Sequence, residues 1–169
     1  IEEAYEVADA ITRNDIAALR DELGDLLLQV VFHARIAEES GEFDFSDVAH
    51  GIANKMVARH PHIFGGEPGT GQSRKLRWEA LKAQEREAKG ATSALDGVAL
   101  ALPALMRAEK LQKRAARVGF DWPDPTGPAN KVVEEMAELA DAPTSQDRHE
   151  EAGDLLFAAV NLVRAYGIE

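Results

Sequence analysis

Residues 22–31 read ELGDLLLQVV, and residues 151–160 read EAGDLLFAAV, with the glycine and the aspartate in register. Around the first stretch, Ile16, Leu19, Leu23, Leu26, Val30 and His33 recur at three- and four-residue intervals, the period of one helix face. No comparable run alternates with the two-residue period of a strand, so the chain is predicted to be all-α.

The repetition continues upstream of each stretch. EEAYEVADA at 2–10 answers EEMAELADA at 134–142, and each is followed by a turn of capping residues, TRND at 12–15 and TSQD at 144–147. Two copies of one helical hairpin are therefore present. Asp15 is expected to cap the long apolar helix, which Glu38, Glu39, Ser40 and Gly41 end. A second helix is expected from a Ser46 and Asp47 cap to Arg59, then a loop, because Pro61 disfavours helix in His60. Gly65, Gly66, Pro68, Gly69 and Gly71 mark 65–73 as the most flexible stretch of the first half, and 74–89 has the composition of an exposed helix. Gly90 and Thr92 read as a linker, dividing the chain into domains 1–92 and 93–169. A helix from Pro103 to Gly119, a turn over 120–125 and a helical pair over 130–166 complete the second.

Composition narrows the function. The chain has 169 residues, 45% hydrophobic and 29% charged, the balance of a globular protein rather than a disordered one. A net charge of -11 repels a phosphate backbone and argues against a nucleic acid polymer as partner. Without cysteine there is no disulfide framework, thiolate zinc site or cysteine nucleophile, which suits a cytoplasmic location. The longest apolar run, 98–106, is about half the roughly 20 residues of a spanning helix and is broken by Pro103, so no membrane partner is expected.

The acids carry the chemistry. Glu3 and Glu6, and Glu135 and Glu138, lie three apart on the first helix of each copy. Glu22 and Asp25, and Glu151 and Asp154, lie three apart on the second. If the helices pack antiparallel, four carboxylates converge where like charges disfavour one another, so a cation is expected. Oxygen-only ligands suit Mg2+, with Mn2+ a substitute. With Glu2 and Glu134 these acids account for nearly all the net negative charge. A single such cluster would read as a solvated face; its duplication weighs against that. Gly24 and Gly153, in mid-helix, point to close approach of a backbone or ligand.

EExxE followed by ExxD, as Glu2-Glu3-x-x-Glu6 with Glu22-x-x-Asp25 and Glu134-Glu135-x-x-Glu138 with Glu151-x-x-Asp154, resembles the signature of the MazG nucleoside triphosphate pyrophosphohydrolases. RHPHIFGG at 59–66, RWEALKAQERE at 77–87, the 93–122 segment and GDLLFAAVNLVR at 153–164 also look like its two-domain bacterial members. The resemblance implies four-helix bundles completed by homodimerisation, and Mg2+-dependent cleavage of NTPs and dNTPs to monophosphate and pyrophosphate. It implies metal ligation by Glu135, Glu138, Glu151 and Asp154, and by Glu3, Glu6, Glu22 and Asp25, with the second copy the active one. Glu134 or Glu135 would hold the attacking water, and Lys82, Lys131, Lys55 and Arg59 are the candidate substrate-binding cations. Judged against this pattern, the first copy lacks its first helix and the second its last, so a longer natural chain is expected.

Two rival readings compete with this one. A di-iron bundle requires Glu-x-x-His, which no glutamate here begins. A helical scaffold that binds Mg2+ or nucleotide without turnover is the alternative, separable by calorimetry with product analysis. Arg107, Lys110, Lys113, Arg114 and Arg117 are read as pairing with acidic helices, the five histidines as structural, and Trp78 and Trp122 as packing residues. The all-round apolar Leu26, Leu27, Leu28, Val30, Val31 and Phe32 are expected to be buried on several sides.

Overall fold

The structure, a computed structural model, describes residues 1–64, 78, 80–85, 88 and 90–168. The expected flexible stretch at 65–73 and much of the expected helix at 74–89 lie outside the described residues, although 80–85 are helical. All regular elements among the described residues are helices. They fall into two compact units, Ile1–Trp78 and Glu79–Glu169.

The first unit contains α1 (Glu2–Thr12), α2 (Ile16–Glu39), α3 (Phe45–Arg59) and the short α4 (Pro61–Phe64). α1 and α2 pack as a hairpin. The reversal needs a left-handed residue, and Asn14 supplies it at φ 53, a conformation asparagine tolerates better than most side chains. Asp15 then caps α2, its carboxylate accepting from the Ala18 amide at 3.0 Å, as the sequence requires. Gly41, at φ 73, follows the C-terminus of α2. The start of α3 differs from expectation. The cap is Asp44, whose carboxylate accepts from the Asp47 amide at 2.9 Å while Asp47 accepts from the Asp44 amide at 3.1 Å. Asp47 is thus the third residue of a reciprocal box, and Ser46 is not the cap. Nor does a loop follow at once: Pro61 ends α3 through its effect on His60 and then opens α4, where its missing N–H costs nothing.

The second unit contains α5 (Ala104–Arg117), α6 (Thr126–Asp141) and α7 (Ser145–Ala165). α6 and α7 form the second hairpin, and α5 packs on α7. Thr144 caps α7 by a reciprocal box: its hydroxyl accepts from the Asp147 amide at 3.1 Å, and the Asp147 carboxylate accepts from the Thr144 amide at 3.2 Å. Three more residues separate Glu6 from Glu22 than Glu138 from Glu151. The likeness of TRND and TSQD hides this: the cap is the last residue of one and the first of the other.

The expected linker ends in a built turn. The Asp96 carboxylate accepts from the Thr92 and Ser93 amides, each at 2.8 Å, and Arg114 of α5 donates to the carbonyl of Asp96. Arg114 therefore serves a backbone turn, and Lys113 pairs with Glu109 of its own helix at 2.7 Å. The buried apolar residues are small: Ala10 and Ala34 in the first unit, Val98, Ala142 and Ala158 in the second. Larger apolar groups of α2, including Leu27, Leu28, Val31 and Phe32, are exposed on the single chain. A β-carbon added at Gly24 or Gly153 would meet nothing within 4 Å, so no backbone among the described residues approaches either glycine closely.

Candidate functional site

Each hairpin brings carboxylates from its two helices together. In the first, Glu3 and Glu6 of α1 meet Glu22 of α2; in the second, Glu135 of α6 meets Glu151 and Asp154 of α7. Within each triad, one oxygen per residue lies within 4.8 Å of the others. Asp25 and Glu138, the fourth member expected of each set, lie outside these close triads. Both still act at a distance. Partial desolvation raises the Glu6 carboxyl above its ordinary value, followed by the negative charges of Glu22, Glu3, Glu2 and Asp25. Desolvation likewise raises Glu151, followed by Glu138, Glu135 and Asp154, with Lys131 opposing.

The triads differ in their surroundings. Glu135 is 4% exposed, whereas Glu3 is half-buried. Glu135 is paired with Lys131, whose Nζ lies 2.7 Å from Glu135 Oε1 and 2.8 Å from Glu134 Oε1. Those hydrogen bonds hold the lysine well above its ordinary value. The spacing was there to read: Lys131 precedes Glu134 by three residues and Glu135 by four on one helix face. Glu3 accepts instead from the neutral Gln29 amide at 3.4 Å, a contact across 26 residues that no local spacing signals.

Of the other candidate cations, Lys55 is exposed on α3, while Arg59 lies over the Trp78 ring with Cζ 5.1 Å from its centroid. His60 meets the same ring edge-on and hydrogen-bonds the Met56 carbonyl at 2.8 Å, in keeping with a structural role. Lys82 is half-buried within the helical residues 80–85. The structure places Lys131 on the carboxylates of Glu134 and Glu135.

The second unit also holds a cavity of about 470 Å3, walled by Leu111, Phe120, Trp122 and Phe157. Arg164 closes its polar end, donating to Asp121 at 2.5 and 3.1 Å and to Asn161 at 2.7 Å. The guanidinium holds the Asp121 carboxyl below its ordinary value. Gln112, also lining the cavity, donates to the Phe157 carbonyl at 2.8 Å, and its Oε1 is buried without a partner. Sequence reasoning missed this arrangement, because Asp121 and Arg164 meet across 43 residues.

Three oxygen donors at this spacing can hold a hard divalent cation, and the absence of sulfur or imidazole from both triads fits Mg2+ or Mn2+ better than zinc. A half-buried lysine beside them can meet a phosphate. Among the described residues, no helix is long and apolar enough to cross a membrane.

Comparison with known proteins gives consistent results. Residues 1–64 match the model of the MazG nucleotide pyrophosphohydrolase domain. Over 173 residues, the chain is 51% identical to the nucleoside triphosphate pyrophosphohydrolase of Escherichia coli K12, covering 99% of this chain and 66% of that protein. Over 169 residues it is 44% identical to the nucleoside triphosphate pyrophosphohydrolase/pyrophosphatase MazG of Thermotoga maritima, covering 100% of this chain and 65% of that one. It is also 46% identical over 174 residues to Bacillus subtilis YabN, of which it spans 35%. The chain thus spans just under two thirds of the first two relatives.

Proposed function

Because the chain belongs to the MazG family, we propose that it hydrolyses nucleoside triphosphates, NTPs and dNTPs alike, to the monophosphate and pyrophosphate. The observation that carries this reading is the Glu135, Glu151 and Asp154 triad with Lys131 beside it, joined to the activity for which relatives alike over nearly the whole chain are named. Water adds to one phosphorus of the α–β phosphoanhydride as the bridging bond breaks, and the released proton leaves with the solvent or the nearest carboxylate.

The residues divide the work by position. Glu135, Glu138, Glu151 and Asp154 would hold Mg2+, the close triad with Glu138, whose charge also bears on Glu151, as the fourth ligand. The metal supplies charge neutralisation at the scissile phosphoanhydride. Glu134, exposed and next in sequence to the buried Glu135, would hold and orient the water. Lys131 would meet a phosphate, with Lys82, Lys55 and Arg59 as further phosphate contacts. Glu3, Glu6, Glu22 and Asp25 form a second metal site with no assigned turnover.

The domains are read as 1–92 and 93–169. Exposed Leu27, Leu28, Val31 and Phe32 on α2 support a homodimer that completes the helical bundles; sedimentation showing a monomer at micromolar concentration would defeat it. A cysteine-free composition and nucleotide substrates support a cytoplasmic location. Incubation with ATP, dTTP and Mg2+, followed by ion-exchange separation, tests the reaction. Monophosphate and pyrophosphate are expected, abolished by chelation and by Glu138→Ala and retained in Glu6→Ala. Triphosphate binding without any product would favour the scaffold reading.

A further inference from the structure

We propose that Lys131 is the resident counter-ion of the second carboxylate cluster, and that a divalent cation enters fully only as an incoming phosphate draws the lysine away, so that metal and nucleotide bind cooperatively. The inference rests on the reading of this cluster as the metal and triphosphate site.

The argument begins with Glu135. Its side chain is 5% exposed, and a carboxylate so deeply removed from water requires a charged partner. Lys131 is that partner, 2.7 Å from Glu135 Oε1, with Glu134 as its second anchor at 2.8 Å. The same Glu135 belongs to the triad with Glu151 and Asp154. An ammonium at hydrogen-bond distance and a divalent ion at a coordination distance of about 2.0–2.1 Å cannot share this carboxylate without strong repulsion between them.

The lysine is free to yield. It holds Glu134 and Glu135 from the same helix, one turn away, so its departure requires side-chain rotation and no backbone movement. Only a group that repays the lost ion pairs can draw it off, and a triphosphate, which also brings oxygens to the metal, does both. Free metal lacks the second half of that exchange. Linkage then makes the coupling reciprocal: nucleotide strengthens metal binding by the factor by which metal strengthens nucleotide binding. Glu3, the counterpart of Glu135, accepts from the neutral Gln29 amide, which sets up no such competition between cations.

The test is Mn2+ titration followed by electron paramagnetic resonance, in a Glu22→Gln background that removes one ligand of the first triad. It is run with and without α,β-methylene ATP. Without nucleotide, Lys131→Met is expected to bind Mn2+ about tenfold more tightly than the parent, and Lys131→Arg to stay near the parent. The nucleotide should strengthen Mn2+ binding many-fold in the parent and much less in Lys131→Met. Lys131→Gln, checked by circular dichroism, serves if the methionine variant does not fold. Equal Mn2+ affinity in the parent and the neutral variants, with nucleotide still promoting binding, would overturn the exchange and leave the metal site standing. No Mn2+ binding in any variant, even with nucleotide, would overturn both.

Discussion

Gly127 and Gly153 should respond to alanine with opposite signs. Gly127 lies in the first turn of α6, and a β-carbon there would stand 2.6 Å from Cδ2 and 2.8 Å from Cζ3 of Trp122. The indole is rigid and walls the cavity, so the clash cannot be relieved by turning the end of a flexible chain. Overpacking of this kind costs about 1–3 kcal/mol, and the gain in helix propensity from glycine to alanine is at most about 1 kcal/mol. Three ring atoms stand well inside van der Waals distance of the added carbon, which puts the clash at the upper end of that range and leaves Gly127→Ala less stable by about 2 kcal/mol. Gly153 lies in the middle of α7 with nothing within 4 Å of an added β-carbon, so Gly153→Ala keeps the whole propensity gain of about 1 kcal/mol. In a unit of this size each kilocalorie moves Tm by roughly 4–8 °C. Scanning calorimetry should therefore place the two variants on either side of the parent. Stabilisation of both by similar amounts would refute the packing argument. A Gly153→Ala protein that is more stable yet no longer turns over nucleotide would mean that the glycine is reserved for a ligand or a partner.

Thr144→Ala removes one half of the box that starts α7 and should cost about 1 kcal/mol; paired with Asp147→Ala, the double variant should lose less than the sum, read by thermal denaturation. The Asp121 carboxyl lies below its ordinary value of 3.8, chiefly through hydrogen bonds from Arg164, so the stability it confers is complete above that value and is lost as pH falls through the depressed one. Asp121→Asn should flatten that acid limb in urea titrations at stepped pH; an unchanged limb would show that the pair contributes nothing. Ala10, fully buried on α1, should not accept Leu without a loss of about 1–3 kcal/mol, measured by urea denaturation.

The helices were legible in the sequence because their signals are local. Apolar residues at three- and four-residue intervals located α2, and Asp15 marked its start. The cap of α3 was misread at Ser46 and Asp47, because the reciprocal box depends on Asp44 lying three residues before an acid that can answer it. The repeat located both acid clusters, but spacing on a helix says which residues share a face and not how far their oxygens lie apart, so the close triads emerge only in the folded hairpins. Lys131 could be placed on Glu135 from spacing alone. The pairing of Asp121 with Arg164 and of Gln29 with Glu3 could not, because those contacts exist only after distant segments have packed.

The placement of the aromatic residues has a practical side. The chain holds two tryptophans, and they fall one to each compact unit: Trp78 beneath Arg59 and beside His60, Trp122 against Gly127 at the cavity wall. Each unit thus carries its own intrinsic fluorophore, one beside a guanidinium and an imidazole and the other at the cavity wall. Replacing either by phenylalanine turns the protein into a single-emitter molecule, in which the melting of one unit can be watched without interference from the other.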